Sequence, residues 1–299
     1  MALFGNNGQS LGDLMLLTEK KDGKALKTRR PFARTLAEAY EKKWVGCPCC
    51  FVLSTGRVGT KTLSALFALS SEVQSYHEPL PRLIKASYDV YMGENTSPET
   101  ALELIYAARD DRICQALFKG QIYTETNNRL TYFAHLLAQA FPASKFIHLY
   151  RHPYDVIRSG MRRKYYVGHK WDFARIRPRK GSLLVKEWQR YSPLKKTAWY
   201  WAEVNRFSID FLKTLPEERK LFIKAEKLFA GDSQTIRTLY NFLGVPVPDS
   251  KQVEKVLGQK LNEQPKGGGQ IAVDWSNKNI EEINQQVRNI ANHLDYILK

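Results

Sequence analysis

The sequence predicts an α/β fold in three layers, with a central, mostly parallel sheet covered by helices on both faces. Three observations carry this reading. Apolar strand-like runs alternate with longer amphipathic stretches over roughly 200 residues, the pattern of repeated βα units. Two of the runs, CFVLS and KFIHLYR, are nearly continuous in apolar residues, as strands buried on both faces are. Finally, 299 residues with 43% hydrophobic and 25% charged content suit one large α/β domain or two small ones, and the continuous βα pattern favours one. That domain is assigned to 44–299. Residues 1–43 read as an N-terminal extension, with helical tendency in TLAEAYEKKW and no core of its own.

CFVLS opens the domain as a strand, and Leu63, Leu66, Phe67 and Ser70 then fall on one face of a helix. VQSYHEP reads as a short strand ending at Pro79. A polar helix is expected from about 98 to 110, followed by the strand IYTET. LTYFAHLLAQAFP has the apolar spacing of an amphipathic helix and is stopped by Pro142. KFIHLYR is the cleanest buried strand, and PYDVIRSGMRR after it is helical. A helix through KTAWYWAEVNRFSIDFLKTLP, the strand KLFIKAE and the helix TIRTLYNFLGVP complete the unit.

In open parallel sheets, ligands bind beyond the carboxyl ends of the strands. The candidate functional residues are therefore Gly56 to Thr62, His77, Glu78, Glu125, Thr126, Arg151, His152 and Glu226. Lys and Arg total 46 against 30 acidic residues, a formal charge of +16, which points to an anionic ligand without choosing one. The first forty residues lack the apolar core of a signal peptide, and no stretch approaches the eighteen or so apolar residues of a membrane span. The expectation is a soluble, cytoplasmic protein. Cys47, Cys49, Cys50 and Cys114 lack the paired spacing of a zinc site and read as small buried hydrophobes. No metal is expected.

Two loops carry the chemistry. In the first, a strand meets Ser54-Thr55-Gly56-Arg57-Val58-Gly59-Thr60-Lys61-Thr62 and a helix begins. Backbone N–H groups and a helix N-terminus converge there on one anion, and the glycines let the chain curl closely around it. Arg57 and Lys61 add charge; Thr60 and Thr62 add hydroxyls. Thr60 separates Gly59 from Lys61, so the loop does not match the kinase spacing G-x-x-x-x-G-K-[ST]. In the second, Arg151 leaves a buried strand and Ser159 follows eight residues on, so a guanidinium and a hydroxyl can meet a second anion. Alternatively Arg151 pairs with Asp155 and Ser159 faces the sheet.

In this order and strand context, Arg57-Val58-Gly59-Thr60-Lys61 and Arg151 to Ser159 resemble the sulfotransferases that use 3'-phosphoadenosine 5'-phosphosulfate (PAPS). The family's first motif wraps the 5'-phosphosulfate, and its later Arg and Ser hold the 3'-phosphate. Trp201, Asn205 and PKGGGQIAVDW follow the family's weaker landmarks, and Lys266 and Gly267 would lie near the 3'-phosphate. The resemblance implies a P-loop-NTPase-like topology and coverage of roughly 48 to 285. Val58 departs from a common Ser and Lys61 from a common Thr.

By this resemblance, sulfuryl moves from PAPS to a hydroxyl or amine by an in-line, metal-independent step. Val58, Gly59, Thr60, Lys61, Thr62, Arg151, Ser159, Lys266 and Gly267, with Arg57, bind the nucleotide. Arg57 and Lys61 meet charge building on the leaving phosphate. Glu78 is favoured as base, with His77 close behind and Glu125 a third candidate. Trp171 and Phe173, in a loop with Arg175, Arg177, Arg179 and Lys180, form a possible acceptor gate. The acceptor expected is a small molecule or saccharide, acidic or neutral, and no nucleic acid. A kinase-like phosphotransferase and a non-catalytic polyanion-binding protein remain the alternatives.

Overall fold

The computed structural model describes residues 46–259 and 273–299. Its sheet is formed by β1 (Cys49–Leu53), β2 (Val73–His77), β3 (Ile122–Thr126), β4 (Lys145–Tyr150) and β5 (Lys220–Lys224). They lie in the order β2-β3-β1-β4-β5, and all four pairings are parallel. The sheet is thus wholly parallel where the sequence predicted mostly parallel. The chain passes from β1 to β2 and β3 on one side, then crosses to β4 and β5 on the other. That places the switch point, where such sheets bind ligands, at the carboxyl end of β1.

The covering helices among the described residues are α1 (Thr60–Phe67), α2 (Ile84–Met92), α3 (Pro98–Phe118), α4 (Ala134–Ala140), α5 (Pro153–Arg162), α6 (Pro193–Leu212), α7 (Ala225–Phe229), α8 (Ser233–Leu243), α9 (Ser250–Leu257) and α10 (Asn277–His293). All five residues of β1 are buried. Its Cys50 and Val52 join Leu63 and Leu66 of α1, Ile147 of β4 and Leu239 of α8 in one core. Phe51, on the alternate face, meets the rings of Tyr123, Phe141 and Phe146. Each such side chain contributes about 1.5–3 kcal/mol by leaving water, so this double-sided layer holds β1 rigidly. Burial pushes the Cys50 thiol up to about 12, consistent with an inert core cysteine.

Three departures have local causes. The helix expected over 98–110 continues to Phe118 as α3. LTYF forms a 3-10 turn, Asn128–Phe133, because the Asn127 side chain accepts from the Arg129 N–H at 3.0 Å; the α-helix starts only at Ala134. Helices α2, α9 and α10 had no counterpart in the sequence reading. The asparagine-rich α10 is a weak helix former, and it buries Ile283, Val287 and Ala291 while packing on α6. No helix of the described residues is long and apolar enough to cross a membrane. The expected extension, 1–43, lies outside them.

Candidate active site

The loop after β1 is bent by three left-handed residues: Gly56 (φ 72°), Arg57 (φ 61°) and Gly59 (φ 94°). A non-glycine residue in this region is uncommon, and such strain collects at ligand sites. The loop is pinned from beneath. Ser54 N–H donates to Thr131 Oγ1 (3.1 Å), and Tyr200 O–H donates to the Thr55 carbonyl (3.0 Å). Helix α1 then begins with Gly59 as N-cap, and no side-chain cap is made to its first N–H groups among the described residues, a positive end that suits an anion. A Cβ on Gly59 would stand 2.2 Å from the Phe229 ring, so only glycine fits. Of the neighbouring residues, the Val58 side chain is in the core and Thr60 is buried, while Lys61 is exposed on the first turn of α1.

Arg57 crosses the end of the sheet, and its Nε donates to Ser159 Oγ at 3.0 Å. It thereby forms a wall shared by two clefts, of about 260 and 370 Å³. Burial holds its pKa below the ordinary arginine value; Tyr165 opposes the shift, and Arg163 and Arg151 reinforce it. A cation crowded by cations in this way favours an incoming anion.

The larger cleft is lined by Gly59, Thr62, Arg151, Arg158, Ser159 and Phe229, among others. Arg151 donates to Asp155 Oδ2 and Arg158 to Asp155 Oδ1, each at 3.1 Å. The pairing of Arg151 with Asp155 is therefore present, but Ser159 faces Arg57 and the cleft instead of the sheet. Arg151 Nε is buried without a hydrogen-bond partner among the described residues. Trp201 Nε1–H donates to the Arg151 carbonyl at 3.0 Å, fixing the strand end. Trp275 lies against Arg158, 5.0 Å from its guanidinium carbon to the ring centre, so the chain after residue 272 returns beside this cleft. Lys266 and Gly267 lie outside the described residues. Glu226 lines neither cleft; it accepts from the His152 N–H (2.8 Å) and the Tyr296 O–H (2.9 Å).

The smaller cleft joins Gly56, Arg57 and Thr60 to His77 and Glu78. His77 Nδ1 lies 3.0 Å from the Thr126 carbonyl oxygen. A carbonyl only accepts, and the Thr126 hydroxyl, also 3.0 Å from Nδ1, donates to the Tyr76 carbonyl (3.3 Å), so these contacts favour the tautomer with its proton on Nδ1 and its lone pair on Nε2. Burial lowers the His77 pKa, partly offset by Glu78, which favours the neutral ring. Glu78 is left-handed (φ 45°), with its side chain 38% exposed and 4.0 Å from Arg82 Nε.

Glu125 is not available as a base. It is buried, paired bidentately with Arg109 (2.6 and 2.9 Å), and also accepts from Tyr123 and Asn127. The proposed gate divides: Trp171 and the buried Arg175 line the cleft, whereas Phe173 is 60% exposed. Arg175 is held by Asp172 (2.7 Å) and stacked 3.4 Å over Tyr165. Arg179 lies over Tyr91 of α2, and Lys180 pairs with Glu94, away from the cleft.

A profile of the sulfotransferase family matches residues 48–249 of this chain. The chain belongs to the sulfotransferase family. Among solved structures, the sulfotransferase domain from the curacin biosynthetic pathway aligns with a TM-score of 0.51 at 18% identity, over 84% of this chain and 98% of that one. Sulfotransferase STF9 from Mycobacterium avium aligns with a TM-score of 0.50 at 12% identity, over 89% and 82%. At such identities these show a shared fold alone. No curated protein matches the chain. The family and the α/β architecture make this chain a sulfotransferase with a sulfonate donor as co-substrate.

Several residues of this sulfotransferase's smaller cleft escaped the sequence reading: Arg82, Asn127, Asn128, Arg129, Arg163 and Tyr165. Asn127 to Arg129 directly follow β3, so the strand-end rule applied three residues further would have found them. Arg163 and Tyr165 follow α5 and carry no such signal.

Proposed function

We propose that this sulfotransferase moves a sulfuryl group from PAPS to a hydroxyl, or an amine, of a small-molecule or saccharide acceptor by in-line displacement. One observation carries the proposal: Arg57, on the β1 loop, is hydrogen-bonded to Ser159 and lies between two clefts that open on the same loop. The larger cleft suits the nucleotide. Arg151 and Ser159 would hold its 3'-phosphate, with Lys266 and Gly267 assisting. The 5'-phosphosulfate would lie against the N–H groups of the Val58–Thr62 turn and the side chains of Arg57, Thr60 and Thr62. The buried, unpartnered Arg151 Nε, the uncapped α1 N-terminus and the space kept by Gly59 fit such a ligand.

In this reading Arg57 stabilises charge developing on the leaving phosphate, a task worth roughly 3 kcal/mol for one preorganised donor. Lys61, exposed beside the loop, adds long-range positive charge. The acceptor occupies the smaller cleft. His77 is assigned as base ahead of Glu78, because the Thr126 carbonyl holds its Nδ1–H and leaves Nε2 to take the acceptor proton. Glu78 is then the neighbouring carboxylate that stabilises the imidazolium formed.

Calorimetric titration with adenosine 3',5'-bisphosphate, beside 5'-AMP and ATP, tests the donor assignment. Binding that requires the 3'-phosphate and no magnesium is expected. Preference for ATP with magnesium would overturn the assignment in favour of phosphoryl transfer.

A further inference from the structure

The smaller cleft holds more positive charge than a transferred sulfuryl group needs. Beyond Arg57, its walls carry Arg82, Arg129, Arg163, Lys170 and Arg175, and Glu78 is the one carboxylate among its lining residues. Three arginines of the fold are paired with carboxylates: Arg109 with Glu125, Arg151 with Asp155 and, in this same cleft, Arg175 with Asp172. Arg129 and Arg163 break that pattern. Neither has a carboxylate partner among the described residues, and Arg163 Nε is buried with no hydrogen-bond partner there. A buried guanidinium donor without an acceptor is costly, and it persists where a ligand supplies the acceptor.

Two aromatic residues complete the walls. The Tyr165 ring is held in place by Arg175 stacked on it, and Trp171 lies at the rim beside Lys170. Ring faces flanked by free guanidiniums suit a cyclic molecule bearing a fixed negative group. The cleft, at about 260 Å³, is at the small end of ligand pockets.

Resting on the sulfotransferase reading above, we propose that the acceptor is itself an anion: a ring compound carrying a carboxylate, sulfate ester or phosphate ester. Arg129 and Arg163 receive this fixed charge, and the ring's hydroxyl faces His77. Arg82 and Lys170, both nearer solvent, steer the anion inward. The fixed group is not the one transferred. It stays bound to the arginines while the acceptor O–H loses its proton to His77 and its oxygen gains the S–O bond broken from the donor.

The test uses three probes that share one phenol and differ in the opposite substituent: 4-hydroxybenzoate, 4-hydroxyphenyl sulfate and the neutral isostere 4-hydroxybenzamide. Each is titrated into the full-length protein, alone and saturated with adenosine 3',5'-bisphosphate. Both anions should bind roughly tenfold or more tightly than the amide. Arg163→Gln should abolish most of that preference, and Arg129→Gln should do the same. Nucleotide affinity, measured on each variant, reports that it is folded. Equal binding of amide and benzoate, no binding of either anion, or a preference that survives both substitutions would overturn the proposal. If the wild-type protein fails to bind the bisphosphate, the donor reading fails; the anion preference is still read from titrations without nucleotide.

Discussion

Arg57 and Ser159 stand 102 residues apart in the chain, yet the Arg57 Nε–H donates to Ser159 Oγ at 3.0 Å. This bond ties the β1 loop to helix α5 and so aligns the two clefts. Ser159→Ala and Arg57→Ala should therefore not be additive. A double-mutant cycle on nucleotide affinity should give a coupling of about 1 kcal/mol, within the range for contacting residues. For transfer, Arg57→Ala alone should lower the rate roughly a hundredfold or more, as loss of one preorganised donor does. Additive effects would show that the bond plays no part in binding.

Gly59 sits under the Phe229 ring at a φ of 94°. Gly59→Ala should destabilise the fold by roughly 1–3 kcal/mol through overpacking and strain, and weaken nucleotide binding as well. Adding Phe229→Ala should relieve the clash and leave the backbone strain. Denaturant melts of the single and double variants would separate the two contributions.

Only neutral His77 can accept a proton, and burial lowers its pKa below the ordinary 6.5. The neutral fraction grows as pH rises through that lowered pKa. The transfer rate should thus climb with pH on the acid side and be flat by neutrality. His77→Gln should remove this acidic limb together with most of the activity, whereas Glu78→Gln should lower the rate and retain the limb. A limb that persisted in His77→Gln and vanished in Glu78→Gln would transfer the base role to Glu78.

His148 is fully buried, its Nε2 2.9 Å from Asn205 Oδ1, and burial pushes its pKa down from 6.5 to about 4. Below 6.5 the unfolded chain takes up a proton that the folded one does not. Stability present above 6.5 should therefore be lost as the pH falls toward 4, by up to about 3 kcal/mol. His148→Gln should flatten this slope in chemical denaturation at a series of pH values.

The Arg109–Glu125 pair supports the turn that carries Glu78. Arg109 donates through Nη1 to the Pro81 carbonyl at 3.0 Å, while both partners are almost wholly buried. Removing one partner leaves a buried charge, so Glu125→Ala should cost about 3–5 kcal/mol in denaturant unfolding. A merely local effect of under about 1 kcal/mol, typical of exposed pairs, would contradict the role given to this pair.

The strand–turn–helix form of the two loops assigned to anions was legible because each is local in sequence: a strand, a turn and a helix start within about a dozen residues. The fold class was legible for the same reason, since β1 is apolar throughout and β4 nearly so. What escaped depends on where the chain returns in space. Glu125 ends a strand as a catalytic residue would, but Arg109, sixteen residues earlier on α3, is brought against it. Arg175 sits in a basic loop read as part of an acceptor gate, but Tyr165 and Asp172 draw it into the interior. Helix α10 has a polar composition, and its face against α6 supplies the stability that its propensity does not.

The most direct measurement is a crystal structure with adenosine 3',5'-bisphosphate. The 3'-phosphate should lie within hydrogen-bond distance of Ser159 and Arg151, and the 5'-phosphate at the N–H groups of residues 58 to 62, near Arg57. A nucleotide bound in the smaller cleft, or with its phosphates reversed, would contradict the assignment of the two anion loops.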